Sequence, residues 1–229
     1  MAFDLVRDLP AALADRPSAW SYIRGFAETW RTPLTVEDGT PETELAEAEA
    51  RLGLRLPAAV REAYALFGRC TDLHSNMQHL LLPGALFVDD RKEALVFRTE
   101  NQGAASWGIL LAELDTEDPP VRVRPDLADK SAERWEGWLG SFSCACIEIV
   151  LTEALLADDP LCDSGDHDGR SELARLPFPA YDGAQPGSGF YTAPGLLLWD
   201  ADGWLSVRAR DEDTLARFRA TYPADWLNA

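Results

Sequence analysis

Asp166-His167-Asp168-Gly169 comes nearest to a ligand set, because carboxylates around a glycine turn are how calcium loops present oxygen. With Gly169 at the turn position, the first ligand of such a loop is Ser164 and the closing bidentate acid is replaced by Arg175. A cation there lacks its strongest ligand, so the stretch reads as a solvated Asp-rich turn. Cys144 and Cys146 stand two apart in a segment of helical period and point in different directions, while Cys70, His74 and His79 lack the close paired spacing of a zinc clip. The four cysteines read as small buried hydrophobes in a reducing compartment, and neither a metal nor a cofactor is expected.

Nucleophilic hydrolysis finds no better support. There is no Gly-x-Ser-x-Gly elbow and no Gly-rich loop before a Lys-Ser/Thr pair, and "GSFSCAC" falls inside an apolar stripe. The three histidines lie in loops or helix flanks with no motif around them. No catalytic residue is assigned. An enzyme working through carboxylates such as Asp163, Asp166 or Asp168 is the weakest of three functional readings.

Charge separates the other two. The 229 residues carry 21 Lys plus Arg against 39 Asp plus Glu, a formal charge of -18, which disfavours direct contact with nucleic acid or an anionic membrane and favours a basic partner. Residues 36 to 50 and 153 to 168 each hold six acids and no Lys or Arg. Such runs are solvated faces in most proteins; alternatively they imitate a polyanion and occupy a basic cleft on another protein. No window approaches the roughly eighteen apolar residues of a membrane span, and "MAFDLVRDLPAALADRP" lacks a basic leader before an apolar core, so the expected location is the cytoplasm.

The elements that must position these residues follow from hydrophobic period. Trp20, Ile23, Phe26, Ala27 and Trp30 mark a helix that Pro33 ends. In "VEDGTPETELAEAEARLG", Thr40 is placed as cap, Pro41 at the first helical position, and Gly53 as stop. Pro57 opens a further helix whose Val60, Tyr64 and Phe67 share a face and which ends at Gly68. From residue 80 the period becomes strand-like through "GALFVDD", "EALVFRTENQG", "SWGILLAEL" and "PPVRVRPD", an antiparallel meander. Trp135, Trp138, Leu139, Phe142, Cys146, Ile149 and Val150 return to helical spacing, with room for a break at Gly140-Ser141, and are read as one helix covering the sheet. Residues 157 to 195 lack periodicity and read as a long irregular connection, the best place for a mobile segment. "LLLWDADGWLSVRA" then forms a hairpin and "DEDTLARFRATYPADWL" a short helix.

In order, "ARLGLRLP", "AAVREAYALFG", "LVFRTENQGAASWGIL", the "DPPV" entry to another strand and a Trp-containing helix resemble the SUKH superfamily of Smi/Knr-type proteins over about residues 37 to 157. The most specific pieces are Leu56-Pro57 with Tyr64 and Gly68, then Glu100-Asn101-Gln102 leading into Trp107-Gly108-Ile109. The resemblance implies an α+β fold, a twisted, mainly antiparallel sheet with surrounding helices, and these pattern residues as framework. It also implies an immunity protein neutralising a bacterial toxin, often a nuclease, or a scaffold regulator.

The expected organisation is an N-terminal helical extension (1–35), a SUKH-like core (36–157), an Asp/Gly/Pro-rich irregular segment (158–195), and a hairpin and helix (196–229) packed on the core. The expected activity is non-enzymatic inhibition of a basic toxin domain, with regulatory or scaffold binding of another protein or peptide as the alternative. The partner-binding candidates are Asp158, Asp159, Asp163, Asp166 and Asp168, with Phe190 and Tyr191 as aromatic anchors in a Gly/Pro-rich loop.

Overall fold

Helix starts in this chain are set by residues that accept an orphan amide or tolerate losing one. Asp15 accepts the Ser18 amide at 2.9 Å and begins the longer of two N-terminal helices, α1 (Leu9–Ala14) and α2 (Arg16–Trp30). In this computed structural model, which describes residues 2–167, 173–180, 188–222 and 224–228, the α2 stripe of Tyr22, Ile23, Phe26, Ala27 and Trp30 is buried.

Pro41 stands immediately before α3 (Glu42–Leu52) rather than inside it, and Thr40 does not cap that helix. Thr40 is buried instead, its amide donating to the Tyr64 carbonyl at 2.8 Å. Gly53 ends α3 at φ +68°, a conformation that costs glycine little. Pro57 precedes α4 (Ala58–Phe67), and α5 (Thr71–His74) follows. Gly68 ends α4 for a steric reason: a Cβ there would lie 2.5 Å from Thr40 Oγ1 and 2.7 Å from the Tyr64 carbonyl oxygen.

The meander comprises β1 (His79–Leu80), β2 (Phe87–Val88), β3 (Ala94–Thr99), β4 (Ala105–Leu110), β5 (Val121–Pro125) and β6 (Glu136–Leu139), all antiparallel in the order β1-β3-β4-β5-β6 with β2 also on β3. Glu100, Asn101 and Gln102 make the β3–β4 turn, where the Glu100 carboxylate accepts the amides of Gln102 and Ala104 at 2.7 and 3.0 Å. Gly108 admits the Trp135 ring, which would stand 3.0 Å from a Cβ.

Trp135 to Val150 do not form one helix. Trp138 and Leu139 belong to β6, and Ser141 starts α6 (Phe142–Leu155), accepting the Cys144 amide at 3.2 Å. The three-to-four spacing ran across the boundary because Leu139 and Phe142 both face the core. Of α6, only Thr152 is not buried, and the helix packs against α2, α4, α5, β6 and two later strands.

Residues 157 to 195 are not an irregular connection where they are described. They supply β7 (Cys162–His167), β8 (Ala174–Arg175) and β9 (Gly189–Ala193). With β10 (Leu196–Asp200), β11 (Trp204–Ala209) and β12 (Ala224–Trp226), which follows α7 (Glu212–Thr221), they build a second antiparallel sheet ordered β12-β7-β11-β10-β9-β8. Gly165, Asp166 and the polar residues of β7 hid this strand, whose stability comes from ladder pairing on both sides rather than from an apolar period. The β10–β11 hairpin lies where the sequence places it, with positive φ at Asp202 and Gly203 in the turn; α7 begins as expected, capped by Asp211, but ends at Thr221, and Ala224–Trp226 of the expected helix are strand β12 paired with β7.

The fold is therefore α+β with two antiparallel sheets, not one, and α6 touches both. Phe142 meets Phe97 of the first sheet edge-on, ring centroids 4.9 Å apart, while Leu197 and Phe190 of the second join the same apolar core. Each such large side chain contributes about 2–3 kcal/mol on burial. Among the described residues no helix is long and apolar enough to cross a membrane.

Candidate binding cavity between the two sheets

Arg98, Glu148 and Glu153 form a buried charged cluster. A bulge in the β3–β4 ladder between Val96 and Arg98 leaves Phe97 without a cross-strand partner and sets Arg98 opposite Trp107. The Arg98 guanidinium donates to Glu148 Oε2 at 2.7 Å and Glu153 Oε1 at 3.2 Å, and its Cζ lies 4.7 Å from the Trp107 ring centroid. Arg98 and Glu153 have 1% and 0% exposure. Glu153 also accepts the Met77 and Gln78 amides, at 2.7 and 3.2 Å, and Glu148 accepts the Thr152 hydroxyl at 2.9 Å. Formally the cluster holds one positive and two negative charges.

Glu148 and Thr152 form part of the floor of a cavity of about 280 Å³. It is also lined by Trp107 of β4 and Trp138 of β6 from the first sheet, Trp199 of β10 and Trp204 of β11 from the second, and Gln78. Four of the protein's eight tryptophans thus converge on one space, which random placement on two sheets does not explain. Trp107 and Trp138 meet edge-on at 5.8 Å, and Trp199 is braced by Phe190 at 4.6 Å. Two buried polar atoms of the lining, the Trp107 Nε1 donor and the Gln78 Oε1 acceptor, have no hydrogen-bond partner among the described residues. Buried polar groups left in this way cost about 1–3 kcal/mol each, and a ligand that supplies both partners recovers that cost.

A second hollow of about 670 Å³ shares Trp204 and Ala201 with this cavity and is lined by the exposed Asp166, Asp202 and Asp225. Exposed carboxylates therefore stand beside the Trp204 end of the cavity.

Most of the acids in the two acidic runs are used internally. Glu42 and Glu49 pair with Arg61, and Glu44 pairs with Arg69. Asp159 is half-buried between Arg31 at 3.2 Å and Arg208 at 2.9 Å. Asp163 is corrected as a partner-binding candidate, because it is buried in β7 against Arg219 and Asn228. Phe190 and Tyr191 are corrected too: they are 1% and 7% exposed within β9, on opposite faces of the second sheet, Phe190 in the main core and Tyr191 in the smaller apolar cluster with Leu198, Val207 and Phe218. Asp158 and Asp166 are exposed, and Asp168 lies outside the described residues. Leu56 and Pro57 are buried at the start of α4, and the Tyr64 hydroxyl donates to the Leu81 carbonyl at 2.5 Å.

The titratable groups sit as structural parts. Burial pushes the Cys144 thiol up to about 12, with nearby Glu148 adding to it, and Cys70 up to about 11; Cys146 and Cys162 are also raised by burial. Thiols so held are neutral and poor nucleophiles. Burial depresses His74 to about 4. His167 is the last residue of β7, its side chain buried, with Nε2 3.4 Å from Asp200 Oδ2 and Nδ1 3.3 Å from the Tyr222 hydroxyl. Among the described residues no three His, Cys, Asp or Glu side chains converge on a metal position.

Arg98, Glu148, Glu153, Trp199 and Trp204 carry no sequence motif, and Trp138 reads from sequence as a core residue on a helix face rather than as part of a site. The available signal was "FSCACIEIVLTEAL", an apolar helix carrying two carboxylates, since a charge inside such a helix requires a buried counter-charge. No family model, curated protein or solved structure matches the chain.

Proposed function

We propose that this is a non-enzymatic, cytoplasmic binding protein that engages a basic protein partner, in the manner of an immunity protein occluding a bacterial toxin domain. The observation that carries the reading is the tryptophan-lined cavity beside an acidic hollow. Indole walls over a carboxylate already committed to Arg98 and Thr152 suit recognition more than proton transfer. The formal charge of -18 supports steering of a basic partner, and the resemblance of residues 37 to 157 to SUKH proteins supports toxin neutralisation.

The test is co-purification with the products of neighbouring genes, followed by an assay of the captured effector's activity. Capture of a basic effector whose activity falls on binding, with association slowed by added salt, is the expected result. A retained partner that keeps full activity moves the reading to a regulatory scaffold. Absence of any retained basic protein removes it.

A further inference from the structure

The cavity has features that select its occupant. Its lining includes four indoles, and π systems attract cations. Its floor carries Glu148, part of a cluster with two carboxylates for one guanidinium, so one additional positive charge makes the cluster formally neutral. Trp107 already holds a guanidinium, that of Arg98, against its ring. Among the described residues the Gln78 carboxamide oxygen lacks a donor, which an ammonium or guanidinium N–H supplies, and the Trp107 indole N–H lacks an acceptor, which a backbone carbonyl of the partner supplies. At about 280 Å³ the space lies at or below the roughly 300–1,000 Å³ of drug-sized ligand sites, the scale of one long side chain. The exposed Asp166, Asp202 and Asp225 beside Trp204 favour approach of the same charge.

We infer that the tryptophan cavity receives one arginine or lysine side chain of the protein partner, its cationic head over Glu148 and between the indoles of Trp138, Trp199 and Trp204. This rests on the binding reading above and names the chemistry of the contact.

The experiment is a titration of the full chain, labelled with 15N at the tryptophan indoles, with N-acetyl-arginine methylamide, N-acetyl-lysine methylamide, tetramethylammonium and the neutral N-acetyl-citrulline methylamide. The expected result is saturable movement of the Trp107, Trp138, Trp199 and Trp204 indole resonances with the arginine or lysine probe, while Trp20, Trp30, Trp135 and Trp226 stay in place. The citrulline probe should bind at least about tenfold more weakly, in line with the loss of a desolvated cation–π and charge contact. Trp204→Leu, at a partly exposed position the fold tolerates, should weaken the charged probe by roughly threefold to tenfold. Glu148→Gln, which keeps the shape, should erase the preference for charge over neutral.

Equal binding of the citrulline probe, shifts spread over all eight indoles, or no saturation overturns the inference. Tighter binding of tetramethylammonium than of either amino-acid probe overturns the assignment to a partner's side chain. The two readings fail separately: a captured effector whose affinity is unchanged by Trp204→Leu leaves the protein-binding function standing without the cavity, and probe binding with no captured effector does the reverse.

Discussion

Arg98→Met isolates the energetics of the buried cluster. Methionine approximates the aliphatic stem but leaves Glu148 and Glu153, 6% and 0% exposed, without their counter-charge, and it removes the contact with the Trp107 ring. Removing one member of a buried ion pair costs about 3–5 kcal/mol, mostly because the remaining charge stays desolvated. With a urea m-value of about 3 kcal/mol/M for a chain of this size, the midpoint falls by about 1–2 M. Urea unfolding followed by tryptophan fluorescence and far-ultraviolet circular dichroism measures this. Replacing all three charges together, Arg98→Met with Glu148→Gln and Glu153→Gln, should restore at least half of the lost midpoint, since the carboxamide introduced by Glu153→Gln can still accept the Met77 and Gln78 amides. A drop under about 0.3 M for the single variant would refute the picture of a desolvated cluster, because exposed pairs are worth only about 0–1 kcal/mol.

Three further outcomes are expected. His74 has a folded pKa depressed to about 4 by burial, so the folded state resists protonation while the unfolded chain takes a proton below about 6.5. Its contribution is present above the unfolded value and is lost as pH falls toward 4; His74→Gln should remove about 2 kcal/mol of the stability difference between about pH 7.5 and pH 5, read from paired urea melts. Gly68→Ala should destabilise by about 1–3 kcal/mol, because the new Cβ meets the Tyr64 carbonyl oxygen and Thr40 Oγ1, and thermal unfolding will show it. Iodoacetamide should label none of the cysteines rapidly in the native protein near pH 8, with the half-buried Cys70 first as pH rises toward 11; fast native labelling of Cys144 or Cys146 would contradict their burial.

The sequence made some elements legible and concealed others for identifiable reasons. The α2 stripe, Gly53, the Pro57 start of α4, the β3–β4 turn at Glu100 and the β10–β11 hairpin all rest on local rules, and local rules are visible in a linear text. The second sheet was hidden because Cys162-Asp163-Ser164-Gly165-Asp166 has no strand-like period and is held by neighbours at residues 204–208 and 224–226. The acidic runs misled because charge counts do not show partners: Arg31, Arg61, Arg208 and Arg219 lie far along the chain from most of the acids they hold. The cavity was least legible, since Trp107, Trp138, Trp199 and Trp204 meet through two sheets and one shared helix. Only Glu148 and Glu153 betrayed it locally, as charges in a helix with no polar face.

That shared helix also bears on synthesis. While a ribosome has released only the chain up to about residue 157, α6 can pack on the first sheet and on α2, α4 and α5, but the surface destined for β10 and β11 is still wet and apolar. Until β10 and β11 emerge, the nascent protein therefore presents a sticky helix, with Glu148 and Thr152 beside the missing wall of the cavity. Chains stopped by a premature codon in that interval should be recognised by holdase chaperones and cleared, so that only a chain translated through β11 carries the cavity into solution.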